Sequence, residues 1–184
     1  MMEEKYRNLI ETTETSEVIF HGKVFDTIVK TVILADGKSA KREIVVHRGG
    51  ACVLPVDDDL NCYMVRQFRS PFEKIILEVP AGKLEEGEQP LVCAERELLE
   101  ETGFVADEII EFGPMIASPG YDSELIWLHM ATGLTKVGQR LDEGEFLNVE
   151  KIPLKELLAM AEDGRISDSK TQLCIYKAAG RLGI

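Results

Sequence analysis

Alternating apolar and polar positions, enriched in β-branched side chains, predict that the first third of the chain folds as strands. The strands expected from this pattern are 17–22, 24–34, 42–47, 51–56 and 61–68. Asp36-Gly37 is typical of a hairpin turn, and Gly49-Gly50 interrupts the pattern between the third and fourth strands. We therefore expect an N-terminal β subdomain at residues 1–48 and a main domain at residues 49–184.

The rest of the chain mixes strand and helix patterns. An extended run at 75–79 ends at Pro80, which has no N–H for a ladder, and a helical repeat then covers 89–102 until Gly103. One face of this helix is expected to carry Leu91, Ala94, Leu98 and Thr102. Strands are expected at 108–116, 124–132 and 145–149, and helices at 154–161 and 170–181. Because strands and helices do not alternate strictly, a doubly wound parallel sheet is not expected.

Composition and charge narrow the class of protein. A chain of 184 residues with 45% hydrophobic residues suits one domain with an appended subdomain. A net charge of −12 argues against a nucleic-acid partner, because neutralising phosphates requires clustered Lys and Arg. It leaves a phosphate substrate open, since carboxylates can hold a metal ion that meets the phosphate.

Several signals are missing from the sequence. It has no apolar run of 18 residues, and the start of the chain has mixed charge and no leader-like segment. The four cysteines lack CxxC spacing, which predicts buried reduced thiols, and the three histidines are isolated and resemble no zinc site. We therefore expect a cytoplasmic protein with no membrane partner.

Three glutamates in the predicted helix are candidates for chemistry. Glu97 lies three residues before Glu100 and four before Glu101, so a helix places all three carboxylates on one face. Like charges at this spacing repel unless a cation balances them, and Mg²⁺ commonly bridges carboxylates to substrate phosphates. A solvated acidic face has the same spacing, so the surrounding residues must decide.

The surrounding residues match a known signature. From Gly82 the chain reads GKLEEGEQPLVCAERELLEETGF, with Glu88 after five residues and Arg96 after seven more. Every fixed position of the Nudix signature, G-x5-E-x7-R-E-U-x-E-E-x-G-U with U a bulky apolar residue, is filled. The chain thus closely resembles the Nudix hydrolases. This implies an α/β fold, the Nudix α/β/α sandwich with a mixed sheet, plus a small N-terminal antiparallel β subdomain.

The resemblance also implies roles for the signature residues. The metal would be Mg²⁺, with Mn²⁺ as the alternative, and its ligands would be the Ala81 carbonyl, Glu97, Glu100 and Glu101. Glu97 and Glu101 would thereby act in catalysis, and Glu88 and Arg96 would support the loop and the helix.

Short elements outside the signature are similar to those of ADP-ribose pyrophosphatases. The segment 118–124 (SPGYDSE) resembles their SPGxxxE element, 67–71 (QFRSP) their QxR-x-P strand end, and 78–82 (EVPAG) their E-x-PAG segment. The segment 42–45 (REIV) resembles the strand that runs towards the substrate of the partner subunit. The substrate-binding residues implied are Arg42, Arg69, Glu78, Pro119, Gly120 and Glu124.

The same resemblance implies the reaction and the assembly. The catalytic base would come from the acidic loop 141–146, with Glu143 as first choice and Glu145 as second. The reaction would be Mg²⁺-dependent hydrolysis of ADP-ribose to AMP and ribose 5-phosphate. A homodimer paired through the N-terminal subdomain would bring Arg42 and Phe25 to the other subunit's site. Two alternatives stay open: hydrolysis of another nucleotide sugar, such as GDP-mannose, or of a dinucleotide, and a non-catalytic Nudix ligand sensor.

Overall fold

The computed structural model describes residues 4–184 and divides into two compact units. One unit comprises the chain up to Arg48 together with Ile116–Leu125, and the other comprises Gly49–Met115 and Ile126–Ile184. The strands are β1 (Thr12–His21), β2 (Phe25–Ile33), β3 (Ser39–His47), β4 (Gly50–Pro55), β5 (Asn61–Arg69), β6 (Lys74–Glu78), β7 (Ala81–Lys83), β8 (Phe104–Ile116), β9 (Leu125–Lys136) and β10 (Leu147–Pro153). The α-helices are α1 (Pro90–Glu97), α2 (Leu154–Glu162) and α3 (Ser169–Leu182).

The first unit is an antiparallel sheet with strand order β1-β2-β3, as the sequence predicts. The turn between β2 and β3 is closed by the Leu34 amide, which donates to the Lys38 carbonyl over 2.8 Å. Strand β1 starts at Thr12, earlier than expected, because Thr12 and Thr13 continue the pairing with β2 although their side chains are exposed.

The second unit contains two sheets. One has the order β7-β4-β9-β8, in which β4 runs parallel to β9 and antiparallel to β7. The other has the order β10-β5-β6 and is antiparallel throughout. The mixed sheet predicted from the sequence is therefore confirmed. All six residues of β4 are buried, as expected for a strand covered on both faces.

Helices cover both faces of β4. Ala51 and Val53 belong to the same core cluster as Ala94 and Leu98, on the helical segment that follows β7. The intervening Cys52 instead places its Sγ 3.6 Å from the Sγ of Cys174 on α3. Because successive strand residues point to opposite faces, the two helices lie on opposite sides of the strand. This arrangement confirms the α/β/α sandwich.

The helix of the signature differs from its sequence prediction at both ends. The α-helical part stops at Glu97, and Leu98–Thr102 continue as a π-helix that ends at Gly103 in the left-handed conformation, with φ of 73°. Leu91 was expected on the buried face and is 43% exposed. That prediction was wrong because the buried face is centred on residues that include two carboxylates, Glu97 and Glu101.

Other boundaries also shift. The short strand β7 was not expected, since Pro80 was interpreted as the end of the local strand pattern, yet Ala81–Lys83 pair with β4. Strand β10 begins at Leu147, which pairs with Gln67 of β5, so Glu145 and Phe146 belong to the preceding loop. Within residues 4–184, no helix is long and apolar enough to cross a membrane.

Candidate active site

The site in the second unit begins where β7 passes the helix of the signature. A Cβ on Gly82 would lie only 1.6 Å from Oε1 of Glu97 and 2.1 Å from its Cδ. Glycine therefore lets the carboxylate lie against the strand backbone, because a side chain at this position would displace it.

Glu101 is the most deeply buried carboxylate of the site, at 1% exposure. The backbone N–H of Ala81 donates to its Oε2 over 2.9 Å. Burial, and next the charge of Glu97, raise the pKa of Glu101 to about 8 despite this hydrogen bond. Ionising Glu101 near neutral pH is therefore costly, and a bound cation would reduce that cost.

Arg96 holds the other two glutamates of the triplet. Its Nη1 lies 2.5 Å from Oε1 of Glu97 and 3.1 Å from Oε2 of Glu100. Glu97 is 8% exposed, and its burial raises its pKa even though the Arg96 guanidinium opposes the change. One arginine therefore compensates only part of the negative charge gathered here.

The other edge of Arg96 ties the helix to the loop before it. Nε donates to Oε1 of Glu88 over 2.9 Å, and Nη2 donates to its Oε2 over 3.0 Å and to the Lys83 carbonyl over 3.2 Å. The hydrogen bonds from Arg96 lower the pKa of Glu88, so this carboxylate stays ionised. The loop between β7 and α1 is thereby fastened to the helix at its carboxylate face.

The C-terminal end of the helix is bound by the segment 137–140. The Gln139 amide Nε2 donates to the Glu101 carbonyl over 2.6 Å, and the Arg140 N–H donates to the Glu100 carbonyl over 3.0 Å. These bonds satisfy carbonyls that the helix end would leave without partners. The acidic loop 141–146 follows Arg140 directly, so this loop begins beside the end of the carboxylate helix.

Glu145 is the loop carboxylate that faces the cluster. Gln67 on β5 donates its Nε2 to Glu145 Oε1 over 3.3 Å. The charge of Glu145 also contributes, after burial, to the raised pKa values of Glu97 and Glu101. Glu143, two residues earlier, is exposed.

Arg69 and Glu78 form a bidentate pair next to the carboxylate cluster. Arg69 Nε donates to Glu78 Oε1 over 2.6 Å, and its Nη2 donates to Oε2 over 2.9 Å. The Glu78 side chain is only 4% exposed, whereas that of Arg69 is 37% exposed. Lys170 also donates to Oε2 of Glu78, a partner that no sequence feature indicated.

The remaining residues expected to bind substrate lie in the first unit. The SPG turn is closed by the Tyr121 and Asp122 amides, which donate to the Ser118 carbonyl over 3.2 and 3.0 Å. The same segment joins β3, because the Val45 N–H donates to the Tyr121 carbonyl over 2.7 Å. This turn contains Pro119 and Gly120, and both are exposed.

Two charged residues of the first unit are engaged within it. Glu124 Oε1 lies 3.3 Å from His47 Nδ1 at the end of β3. Arg42 pairs with Glu11 through Nε and Nη2, and its side chain is 40% exposed. The hydrogen bonds that Arg42 donates to Glu11 raise the pKa of Arg42, so the guanidinium stays charged.

Residues 46–171 match the NUDIX domain. The chain belongs to the Nudix family. The match contains the carboxylate helix, the Gly82 approach and the acidic loop, but it excludes strands β1 and β2. The geometry above is therefore that of a Nudix domain preceded by a separate antiparallel sheet.

Individual Nudix relatives extend the likeness to nearly the whole chain. An ADP-ribose pyrophosphatase of Bacillus subtilis (strain 168) is 42% identical over 171 residues, covering 92% of both sequences. A methanol dehydrogenase activator of Bacillus methanolicus is also 42% identical, over 167 residues and 90% of both sequences. The crystal structure of an ADP compounds hydrolase superposes with a TM-score of 0.81 over 94% of both chains. At 22% identity, that structure shows the fold alone.

The carboxylate triplet of this Nudix domain fits a hard divalent cation in its chemistry. Two of its members are buried with raised pKa values, and a cation would relieve their repulsion. Within the described part of the chain, no group of three His, Cys, Asp or Glu side chains is arranged as a metal cluster. The reason is local: Arg96 orients Glu97 and Glu100, whereas Glu101 is turned to the Ala81 amide.

Proposed function

We propose that this Nudix protein hydrolyses the diphosphate of ADP-ribose to AMP and ribose 5-phosphate with the help of Mg²⁺. The observation that carries the proposal is the buried pair Glu97 and Glu101 against Ala81-Gly82. It occurs in a chain that matches an ADP-ribose pyrophosphatase over 92% of both sequences. A site with net negative charge can bind a diphosphate only when a cation lies between the carboxylates and the phosphates.

The cation would be held by Glu97, Glu100, Glu101 and the carbonyl of Ala81. All four supply hard oxygen donors, and the buried carboxylates lack enough positive charge from the protein. When bound, the cation supplies neutralising charge for the diphosphate and the leaving group, with Mn²⁺ as the alternative to Mg²⁺. Arg96 keeps two of the carboxylates on the same side of the helix, and Gly82 lets the strand approach them.

Arg69 would bind the diphosphate, and Glu78 would orient Arg69. Glu78 is too deeply buried and too fully bonded to be the main contact of a substrate. The Nε and Nη2 atoms of Arg69 donate to Glu78, which leaves Nη1 without a hydrogen-bond acceptor among residues 4–184. A charged donor on a partly exposed guanidinium suits a phosphate oxygen.

Glu145 is the better-supported base of the two loop candidates. Its carboxylate is held by Gln67 and acts electrostatically on Glu97 and Glu101, whereas Glu143 is exposed. In the proposed reaction, Glu145 takes the proton from the attacking water. Its attachment to a loop allows this carboxylate to move when substrate binds.

The N-terminal β subdomain, residues 1–48, would form a homodimer. Strand β1 lies at the edge of its sheet and is exposed along its whole length. It presents Val18, Ile19 and Phe20 at 60, 57 and 54% exposure. Exposed apolar residues on an edge strand mark a surface for protein association. The resemblance to ADP-ribose pyrophosphatases further suggests that Arg42 and Phe25 reach the other copy's site in such a dimer, and that Pro119, Gly120 and Glu124 contact the substrate from the SPG turn.

The setting proposed for this reaction is the cytoplasm. All four cysteines are free and buried, as the sequence predicts, and reduced thiols suit a reducing compartment.

Phosphorus NMR of ADP-ribose tests the reaction directly. With Mg²⁺ we expect the diphosphate signals to give way to those of AMP and ribose 5-phosphate, and excess EDTA should stop the conversion. If the folded protein leaves ADP-ribose intact, the proposed substrate is wrong. A panel with GDP-mannose and a dinucleotide then identifies which diphosphate is cleaved, and binding without cleavage would indicate a ligand sensor.

A second candidate function is the activation of a dehydrogenase. It is favoured by the equal identity, 42%, to the Bacillus methanolicus activator. Adding the protein to a methanol dehydrogenase assay tests it. A rate increase with native protein, and none with a variant that has lost hydrolysis, would join the two candidates into one activity.

A further inference from the structure

Lys170 is a buried cation that the proposed reaction does not use. It lies in the first turn of α3 and is only 8% exposed. Burial opposes its charge, but the charges of Asp168 and Glu78 outweigh this effect and raise its pKa. A buried lysine that stays charged is costly unless its partners are well placed, so its surroundings identify what it does.

The partners of Lys170 form a chain of alternating charges. Lys170 Nζ donates to Oε2 of Glu78 and, over 3.0 Å, to Oδ2 of Asp168. Glu78 in turn accepts both bonds from Arg69. Two carboxylates and two cations thus alternate in the order Asp168, Lys170, Glu78, Arg69. The alternation compensates the buried charges, and Arg69 uses only Nε and Nη2 in it.

The same turn of α3 also binds the backbone beside Glu78. Asp168 caps the helix by accepting from the Thr171 amide over 3.0 Å. The Thr171 hydroxyl donates to Asp168 and accepts from the Val79 amide over 2.9 Å. The start of α3 therefore holds both the side chain of Glu78 and the peptide that follows it.

This anchor is close to the carboxylate cluster along the chain. Ala81, whose amide binds Glu101, is three residues after Glu78, a span of at most roughly 11 Å. Arg69 is also near enough to Glu101 that its charge opposes the raised pKa of that carboxylate. A shift of Glu78 would therefore be felt at both the guanidinium and the strand that approaches the cluster.

We propose that Lys170 is a positioning residue of the diphosphate site, which holds Glu78 so that Arg69 presents Nη1, the nitrogen that Glu78 does not use, to a phosphate oxygen. The inference rests on the proposed function in that it takes a diphosphate as the ligand. Without Lys170, the second oxygen of Glu78 keeps only Arg69 as a cationic partner. The buried carboxylate then draws the guanidinium inward or changes its orientation, and the bidentate geometry is lost.

A double-mutant cycle with Arg69 tests this route of action. Lys170→Met should raise the KM for ADP-ribose about tenfold with a smaller change in kcat, because residues that share one salt-bridge network, here through Glu78, couple by this order of energy. In an Arg69→Ala background, the same substitution should change KM little, since its route to the phosphate is already missing. Lys170→Arg should recover most of the KM, and Lys177→Met, an exposed lysine on the same helix, should leave both constants unchanged.

Two results would overturn the inference. One is an equal fall in kcat/KM on Lys170→Met with and without Arg69, which would show a purely structural role. The other is a normal KM for Lys170→Met in a folded protein. Should Lys170→Met fail to fold, Asp168→Asn carries the same cycle, because it removes one charge from the series and leaves Lys170 in place.

Binding of inorganic pyrophosphate separates this inference from the proposed substrate. Calorimetry with pyrophosphate and Mg²⁺ should show weaker binding on Lys170→Met only when Arg69 is present. If ADP-ribose is not hydrolysed but this pattern appears, the substrate proposal fails and the role of Lys170 stands. Absence of pyrophosphate binding by the unsubstituted protein, or additive effects of the two substitutions, would refute the role of Lys170.

Discussion

At the scale of single residues, the carboxylates of the site carry more negative charge than the neighbouring cationic side chains neutralise. Arg96 serves Glu88, Glu97 and Glu100, and Glu101 is left with a backbone amide. Repulsion among buried carboxylates lowers the stability of the folded chain, and binding of a cation restores it. The residues proposed to bind the cation are therefore expected to reduce stability when no cation is present.

Glu101→Gln should separate the loss of stability caused by carboxylate repulsion from the gain in stability caused by cation binding. The folded-state pKa of Glu101, about 8, lies above its ordinary value of 4.5. Its contribution to stability is thus present below about pH 4.5 and is lost as the pH rises through about 8. In EDTA, urea denaturation should show a smaller loss of stability between pH 5 and pH 8 for the variant.

The same variant should lose turnover. We expect kcat to fall by at least about 100-fold, the order seen when one electrostatic group of an active site is removed. Stabilisation by added Mg²⁺, measured as a rise in Tm, should also shrink. Normal turnover, or a variant less stable than the parent at pH 8 in EDTA, would contradict the role given to Glu101.

Glu145→Gln and Glu143→Gln form a matched pair for the base. The two residues lie in one loop, but only Glu145 is held by Gln67 near the cluster. We expect Glu145→Gln to lower kcat by about 100-fold or more with little change in KM, and Glu143→Gln to have a minor effect. The opposite ranking in steady-state kinetics would transfer the base to Glu143.

At the scale of elements, the sequence predicts what depends on local spacing. The carboxylate helix, the first hairpin and the mixed pattern of strands follow from periodicity and turn residues. The change to a π-helix at Leu98 does not, and neither do the bonds of Gln139 and Arg140 to the end of that helix, because these partners are distant in sequence. The pairing of Glu78 with Lys170 spans 92 residues and could not be found from either local pattern.

Gly103 tests how that helix end is held. A Cβ there would lie 2.5 Å from the Gln139 nitrogen and 2.6 Å from the Gly138 carbonyl carbon, and φ is 73°. Gly113 has a φ of 87° and open space around it, so Gly113→Ala shows the strain alone. We expect a cost of about 1–2 kcal/mol for Gly113→Ala and a larger cost for Gly103→Ala in urea denaturation. Equal costs would mean that the 137–140 segment yields easily.

At the scale of the whole molecule, the exposed strand β1 bears on assembly. Phe20→Lys places a charge among Val18, Ile19 and Phe20, and should convert a dimer to a monomer in sedimentation velocity. Leu182→Lys, which alters an exposed apolar residue at the end of α3, should leave the assembly unchanged. A monomeric unsubstituted protein, or a dimer that survives Phe20→Lys, would contradict pairing through β1.

The division of the chain into two units has a consequence for dissecting it. The backbone passes from one unit to the other after Arg48, after Met115 and after Leu125. A protease that cuts only after Arg48 would leave Ile116–Leu125 paired with β3, so the fragments would remain associated through the bonds between Val45, Tyr121 and Ser123. A gene lacking the codons up to Arg48 would encode strands β4 to β10 together with the 116–125 segment, but without β3, to which that segment is bonded. A chimaeric protein that takes its first unit from a relative must therefore receive two segments, the chain up to Arg48 and Ile116–Leu125, which a single crossover cannot supply.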